Sequence, residues 1–288
     1  MWHPWHLHLA SDARSLQDRV VTDVIAPVVG DLGGRPWFFI RYWQAGPHLR
    51  LRIGDLDEQS SASAEQSLRE RLAAAGRLAA DEEPVSQAGY RASAERFAAG
   101  ERGTDRVVKD MLPPGVHRGR YEPEYDRYGG PGLMARTERL FQLSSELVIA
   151  LLPHLSAAGT RAAAALRATL SAAAALGDAT EQAAFYARGL AMWRGIAAGY
   201  GLPGERIELL CRQAGAAGAG SDVDPGDHGS FGPWHVAIVR LAGELRRDGR
   251  DHPARVVSSH VHMFHNRLGL GLLEELRTYA WLDGVSRP

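Results

Sequence analysis

Three short clusters in the sequence contain side chains that can bind anions or move protons. The first, FFIRYWQAGPHLRLRI, carries Arg50 and Arg52 in an alternating pattern, with Arg41 on the neighbouring predicted strand. Successive side chains of a strand point to opposite faces, so Arg50 and Arg52 are predicted to share one face. The pattern leaves two interpretations open: a carboxylate-binding platform of forked guanidinium groups, or a solvent-facing surface with scattered arginines.

The second cluster, YEPEYDRYGGPG, places several charged residues in a turn before a predicted helix. These residues are Glu122, Glu124, Asp126 and Arg127. The free amide groups of a helix N-terminus attract anions, but the cluster lacks the GK[ST] of a phosphate loop. From the pattern alone, a capping turn with a local ion pair is the favoured interpretation.

The third cluster, SSHVHMFHNRL, begins at Ser258 and is predicted to be helical. Ser258, His262 and Asn266 then fall on one stripe of the helix. A metal site is disfavoured, because His260 and His262 point to different sides and no HExxH motif is present. We therefore expect one titratable histidine held by its neighbours, since imidazole suits proton transfer near neutral pH.

The elements that must position these clusters follow from hydrophobic periodicity. In the first part of the chain they are a strand at Trp2–Ala10, a helix ending before Gly33, strands at Trp37–Trp43 and His48–Ile53, a helix at Ser61–Leu78 and a weak strand near Val85–Tyr90. This order is that of a split βαβ, or ferredoxin-like, sheet. His3, His6 and His8 are interpreted as strand residues without a role.

From Pro131 onward the sequence predicts an almost wholly helical half. Helices are expected over 131–152, 160–175, 180–199, from 204, and over 232–248, 252–268 and 270–282. Gly215–His228 is rich in glycine and is predicted to be a mobile loop. The predicted fold class is therefore α+β, as a single domain over 1–288 with an α/β lobe at about 1–120 and a helical lobe at 121–288.

Composition excludes several classes of function. The 288 residues carry a net charge of -1, so no overall field attracts nucleic acid or an anionic membrane. Cys211 is the one cysteine, which excludes an internal disulfide and a cysteine-based zinc site, and Lys109 is the one lysine, which disfavours a Schiff base. No signal peptide and no membrane-spanning run is recognised, and we expect a cytoplasmic protein.

Taken together, the clusters carry a resemblance to a known family. WFFIRY, PHLRLR, YEPEYDRYGG and the HMxxNRL segment around His262 occur in that order. The chain resembles, from Trp5 to about Trp281, the glutamate-elimination domain of class I lanthipeptide dehydratases, in the stand-alone form found with thiopeptide-type bacteriocin pathways. Gln44-Ala45-Gly46 and Ser144-Ser145 depart from the family's usual acidic residues, and neither departure removes a proposed catalytic group.

The resemblance implies a lyase. A glutamylating partner protein that uses glutamyl-tRNA would esterify serine or threonine of a ribosomally made precursor peptide, and this chain would then eliminate glutamate to leave dehydroalanine or dehydrobutyrine. Arg50 and Arg52 would bind the substrate, and His262, Arg127 and Glu124 would be catalytic, with Glu124 orienting Arg127 or raising the basicity of His262. No metal or organic cofactor is implied.

Two alternatives remain. Some relatives with this fold perform a formal aza-[4+2] cycloaddition of two dehydroalanines, which builds the pyridine macrocycle of a thiopeptide. The chain could also be a non-catalytic module that binds precursor peptide. The elimination hypothesis requires that the guanidinium groups of Arg50, Arg52 and Arg127 meet the imidazole of His262 in a common pocket.

Overall fold

A computed structural model describes residues 1–100, 107–221, 228–248 and 253–286. They form two compact units, Met1–Pro123 and Glu124–Pro288. The first unit contains a four-stranded sheet with helices, and the second is helical. The predicted α+β fold class is confirmed.

The first unit is built on an antiparallel sheet with the strand order β2-β3-β1-β4. Its elements are β1 (Trp2–His8), α1 (Arg14–Val20), a π-helical turn (Val21–Ile25), α2 (Ala26–Asp31), β2 (Trp37–Tyr42), β3 (His48–Gly54), α3 (Glu58–Ala75), α4 (Gln87–Gly100) and β4 (Gly115–Arg118). Strand β3 pairs between β1 and β2, which is the arrangement of a split βαβ unit.

The predicted strand at Val85–Tyr90 is wrong. Ser86 accepts a hydrogen bond from the backbone amide of Gly89 at 3.0 Å, and helix α4 begins directly after this cap. The fourth strand of the sheet is instead Gly115–Arg118, which pairs with β1. The predicted helix at Ser61–Leu78 also begins earlier, because Asp57 caps α3 through the amide of Ser60.

One face of the sheet is the core of the first unit. Its leucine and tryptophan side chains, including Trp5, Leu7, Leu49 and Leu51, are fully buried. Arg41 points to this face as well, because its register partner is Leu49, and it forms an ion pair with Asp18 of α1 at 2.6 Å. Arg41 therefore does not join Arg50 and Arg52, whose side chains alternate to the other face.

The second unit is a bundle whose helices agree closely with the predicted segments. A 3₁₀ turn at Pro131–Leu133 leads into α5 (Met134–Leu151), followed by α6 (Thr160–Ala173), α7 (Ala179–Gly199), α8 (Gly204–Ala219), α9 (Gly232–Asp248), α10 (Pro253–Leu268) and α11 (Leu272–Val285). Helix α10 packs against α5 and α6, while α11 packs against α7 and α8. None of the described helices is long and apolar enough to span a membrane.

The predicted loop at Gly215–His228 is wrong in its first part, because α8 continues to Ala219. The glycines of this segment permit close helix packing. A Cβ at Gly218 would collide with the backbone carbonyl of Trp281 in α11, and one at Gly284 would collide with the carbonyl of Gly215. Residues 222–227 of the predicted loop lie outside the described residues.

Candidate functional site

The two predicted substrate-binding arginines lie on the face of the sheet opposite the leucine side chains of the core. Arg50 lies opposite His6 on β1 and Ile40 on β2, and Arg52 lies opposite Phe38. Directly opposed residues of antiparallel strands share a face, so the predicted common face of Arg50 and Arg52 is confirmed. We refer to this surface, centred on Arg50, Arg52 and His6, as the basic sheet face.

Aromatic rings hold both guanidinium groups on this face. The guanidinium carbon of Arg50 lies 3.5 Å from the ring centroid of Tyr42, and that of Arg52 lies 4.8 Å from Tyr121 and 5.1 Å from Phe38. A planar cation on an aromatic ring is stabilised without giving up its hydrogen-bond donors. Arg52 is buried, with 8% of its surface exposed, whereas Arg50 is half-buried.

Histidines surround the arginines. The ring of His48 stacks on His8 with centroids 4.3 Å apart and on His6 at 5.0 Å, and His117 packs edge-on against His8. Burial and the nearby positive charge of Arg50 lower the pKa of His6 to about 3. Burial, His117 and Arg50 lower the pKa of His8 to about 4, and burial above all lowers that of His48 to about 2.

The imidazoles of His6, His8 and His48 are therefore neutral near pH 7, and the arginines supply the positive charge of the basic sheet face. The neutral ring of His48 contacts Gly46 through Nδ1 at 2.8 Å, and its Nε2 accepts a hydrogen bond from Nε of Arg50 at 3.2 Å. His48 thereby orients one guanidinium. His6 and His8, predicted to have no role, belong to this cluster, and only the cross-strand register reveals it.

The nitrogens of His6, His8 and His48 lie within 4.8 Å of one another, which is a spacing that a metal ion could use. Two features disfavour a cation there. The rings of His8 and His48 are nearly parallel, at 18°, so their in-plane lone pairs run side by side instead of converging. The guanidinium groups beside them also repel a second positive charge. The cluster fits an anion better than a metal.

The turn that opens the second unit holds the predicted pair of Glu124 and Arg127. Oε2 of Glu124 lies 3.1 Å from Nη1 of Arg127, three residues later. Gly129 and Gly130 both adopt positive φ angles, of 85° and 98°, which a residue with a side chain rarely adopts. They turn the chain into the helix that follows, and they place Tyr128 in the core beneath the ion pair.

Helix α10 meets this turn on one side. The buried ring of His260 packs against Tyr128 with centroids 5.1 Å apart, and Arg255 donates a hydrogen bond to the carbonyl of Asp126. Burial, together with the positive charges of Arg267 and Arg127, lowers the pKa of His260 to about 3. His260 is thus a neutral core residue.

His262 points to another side of α10, where it meets α11. Its Nδ1 lies 3.0 Å and 3.2 Å from the two carboxylate oxygens of Glu275. The ring of Trp193, from α7, lies 5.4 Å away and covers one side of the imidazole. The side chain of His262 is 31% exposed, whereas that of Glu275 is 3% exposed.

Comparison with known proteins identifies the family. Residues 2–285 match the family described as the C-terminal region of lantibiotic biosynthesis dehydratases. The chain belongs to this family. The resemblance expected from the ordered motifs is therefore confirmed. No curated protein sequence matches the chain.

Solved structures of this family's fold include three with close overall similarity. The pyridine synthase TbtD from thiomuracin biosynthesis matches with a TM-score of 0.63 and 18% identity, over 99% of this chain and 97% of TbtD. The tRNA-dependent lantibiotic dehydratase MibB from Microbispora sp. 107891 matches with a TM-score of 0.61 and 23% identity, over 99% of this chain and 28% of MibB. TsrL matches with a TM-score of 0.61 and 16% identity, over 98% of this chain and 93% of TsrL. At these identities the likeness shows the fold.

The predicted site residues fall into two groups. Arg50 and Arg52 lie together in the first unit, while Glu124, Arg127 and His262 lie in the second. That the two groups form one pocket stays a prediction. Glu124 pairs with Arg127, and the carboxylate beside His262 belongs to Glu275, which the sequence analysis missed.

Proposed function

We propose that this chain is a lyase that eliminates glutamate from glutamylated serine or threonine of a ribosomally made precursor peptide, leaving dehydroalanine or dehydrobutyrine. The basic sheet face is the observation that carries the proposal. It presents Arg50 and Arg52 side by side, each packed on aromatic rings, among imidazoles that are neutral near pH 7. Such a surface suits a carboxylate.

A glutamyl ester supplies that carboxylate. The ester bond uses one carboxyl group of glutamate, so the substrate still carries a free carboxylate and a free amine. The two dehydroalanines that a cycloaddition joins carry neither group at the reacting atoms. The guanidinium pair therefore favours elimination over pyridine formation, because a cationic pocket would have no anion to bind in the second reaction.

The elimination breaks two bonds and forms one double bond. A base takes the proton from Cα, the electron pair forms the Cα–Cβ double bond, and the Cβ–O bond breaks so that glutamate leaves as a carboxylate. His262 is the proposed proton carrier, because an imidazole can both accept and donate a proton. Arg127, oriented by Glu124 at 3.1 Å, and the arginines of the basic sheet face would stabilise the departing negative charge.

The elimination needs a glutamyl ester that has already been formed. We propose that a partner protein transfers glutamate from glutamyl-tRNA to the precursor peptide, and that this chain then binds the glutamylated peptide. Recognition of the nucleic acid belongs to that partner, since this chain has a net charge of -1. The tRNA-dependent dehydratase MibB supports such a division of labour, because this chain matches only 28% of its length.

The test uses purified protein and a peptide carrying a chemically glutamylated serine, with products followed by mass spectrometry. We expect release of free glutamate and one dehydroalanine for each ester consumed. The variant His262→Ala should lose roughly 100-fold or more in rate, the usual contribution of a positioned acid or base. Arg96→Ala, which changes an exposed arginine of α4, is the matched control and should release glutamate at the wild-type rate.

Other outcomes would contradict the proposal. Formation of a pyridine ring from a peptide that already contains dehydroalanines would assign the chain to cycloaddition. Binding of the peptide without any turnover by the wild-type protein would assign it to a binding module. Release of glutamate at the normal rate by His262→Ala would remove that residue from the mechanism.

A further inference from the structure

A buried carboxylate lies behind the imidazole of His262. Glu275, in the first turn of α11, is 3% exposed and reaches two histidines of α10 at once. Its Oε1 lies 3.0 Å from Nδ1 of His262, and its Oε2 lies 3.0 Å from Nδ1 of His265. Three or four residues separate neighbours on one helix face, so one acid on α11 can bridge this pair.

The protonation state of Glu275 decides which ring nitrogens of His262 and His265 carry hydrogen. Burial alone would raise the pKa of Glu275, but its electrostatic attraction to His262 and its hydrogen bonds with His262 and His265 outweigh burial and lower the pKa below its usual range. Glu275 is therefore ionised at neutral pH, and an ionised carboxylate only accepts hydrogen bonds. Both Nδ1 atoms must then carry the hydrogen.

His265 helps to hold the carboxylate of Glu275 in place. Its ring is fully buried, and its Nε2 lies 3.0 Å from the hydroxyl oxygen of Thr169 on α6. With both ring nitrogens engaged, His265 cannot rotate without breaking a buried hydrogen bond. Helices α6, α10 and α11 are thus joined through one chain of side chains: Thr169, His265, Glu275 and His262.

The second ring nitrogen of His262, Nε2, lies in a different environment from Nδ1. Within the described part of the chain, its Nε2 makes no hydrogen bond, and the side chain is 31% exposed. A neutral histidine with its hydrogen on Nδ1 has its lone pair on Nε2. Trp193 lies against the ring and limits its rotation.

We infer that Glu275 is a positioning residue that holds His262 in the Nδ1–H tautomer, so that Nε2 is the base that removes the Cα proton. The inference rests on the proposed function for the reaction, but the tautomer and its cause belong to the folded protein alone. It also decides the role of His262: the residue acts first as a base, and the proton it takes up can then be passed to solvent or to the departing glutamate.

The direct test is nitrogen NMR on protein labelled in its histidine rings, at alkaline pH where the free imidazole is neutral. Protonated and unprotonated ring nitrogens have separate signals, and the signals of His262 are assigned by their loss in His262→Gln. We expect a protonated Nδ1 and an unprotonated Nε2. In Glu275→Met, which has no acceptor, we expect the signals of His262 to move toward the Nε2–H form.

Kinetics provide the second test, on the release of glutamate from the glutamylated peptide. Glu275→Met should lower kcat by roughly 100-fold while KM changes by less than about threefold, because the loss falls on proton transfer. Glu275→Gln keeps one oxygen acceptor and should retain more activity than Glu275→Met. Glu146→Gln, an exposed acid of α5, is the matched control and should keep the wild-type kcat.

The outcomes separate the two proposals. An Nε2–H tautomer of His262 in the wild-type protein would overturn the inference, and this outcome does not depend on the folding of any Glu275 variant. Equal kcat values for the wild type and Glu275→Met would overturn it as well. A wild-type protein that shows the Nδ1–H tautomer but releases no glutamate would overturn the proposed function and leave the positioning by Glu275 intact.

Discussion

At the scale of single residues, the alternation of HLRLR was enough to place Arg50 and Arg52 on one face of a strand. It was not enough to place Arg41, which the register of the neighbouring strand turns toward Asp18 and the core. The alternation of residues shows which side chains of one strand share a face. How the faces of two strands correspond depends on their register, which the alternation does not give. The same limit concealed His6 beside Arg50.

The packing of Arg52 between Phe38 and Tyr121 leads to a prediction about Arg52→Lys. An ammonium group keeps the charge but cannot lie flat on a ring or present two parallel donors to a carboxylate. We expect the KM for glutamylated peptide to rise roughly tenfold, equivalent to about 1.4 kcal/mol, with a smaller change in kcat. Steady-state measurement of glutamate release checks this.

Arg41→Lys is the matched control, since Arg41 lies on the adjacent strand with its side chain on the opposite face. Its charge can still pair with Asp18, and the KM should equal that of the wild type. An unchanged KM in Arg52→Lys, or the same increase in both variants, would show that the aromatic packing of Arg52 has no part in substrate binding.

At the scale of elements, helices were predicted more accurately than the fourth strand. Long amphipathic segments such as α5 and α10 repeat their pattern over several turns, whereas a strand of four residues such as β4 carries almost no periodic signal. Val85–Tyr90 begins with residues that suit a strand, but the cap at Ser86 starts a helix there. The glycines of α8 likewise favour a loop when the sequence is considered alone, because their partner glycine lies in α11, far along the chain.

Glu82 connects α1 to the segment after α3 and should be a strong local contributor to stability. Its carboxylate accepts hydrogen bonds from Ser15 at 2.6 Å, from both terminal nitrogens of Arg19, and from the amide of Ala79. The hydrogen bonds from Arg19, with those from Ala79 and Ser15, lower its pKa to about 2 although its burial acts in the opposite direction. An acid with a lowered pKa stabilises the fold above the pKa of the unfolded chain, and this contribution is lost as the pH falls toward the folded value.

We therefore expect Glu82→Gln to lower the free energy of unfolding by about 2 kcal/mol at pH 7. The difference from the wild type should shrink as the pH falls from about 4.5 toward 2. Urea unfolding at several pH values checks it, with the exposed neighbour Glu83→Gln as the control that should match the wild type at neutral pH. A difference that stays constant down to low pH would show that the charge of Glu82 is not what stabilises the fold.

At the scale of the whole molecule, the ordered motifs were sufficient to identify the family, because they are spread over nearly the full length that the family covers. They could not provide Glu275. No motif marks this acid, and its contact with His262 depends on how α11 packs beside α10. Sequence alone therefore did not identify the carboxylate that supports the proposed catalytic imidazole, because that carboxylate lies on a different helix.

Both units bury histidines in their neutral form, so both units are expected to lose stability as the pH falls. His48 in the first unit and His260 in the second have pKa values lowered to about 2 and about 3, in each case chiefly by burial. The unfolded chain takes up a proton on each of these residues near pH 6.5, and the folded chain does not until far lower pH. Stability from these residues is therefore present above about pH 6.5 and declines as the pH falls below it.

His260→Leu isolates this effect, because the ring of His260 lies among the rings of Tyr128 and Phe141, and its buried Nε2 has no hydrogen-bond partner in the described structure. A leucine of similar volume removes the titrating group and leaves no polar atom unpaired.

At pH 8 the His260→Leu variant should lie within about 1.5 kcal/mol of the wild type in its free energy of unfolding. Between pH 8 and pH 5, the difference in the free energy of unfolding between the variant and the wild type should shift by about 2 kcal/mol in favour of the variant. Urea unfolding at both pH values measures the change, with the same substitution at the exposed His154 as the control for replacing a histidine by leucine. A relative stability of His260→Leu that is equal at the two pH values would mean that His260 is protonated in the folded protein, with Tyr128 and Phe141 accommodating a cation.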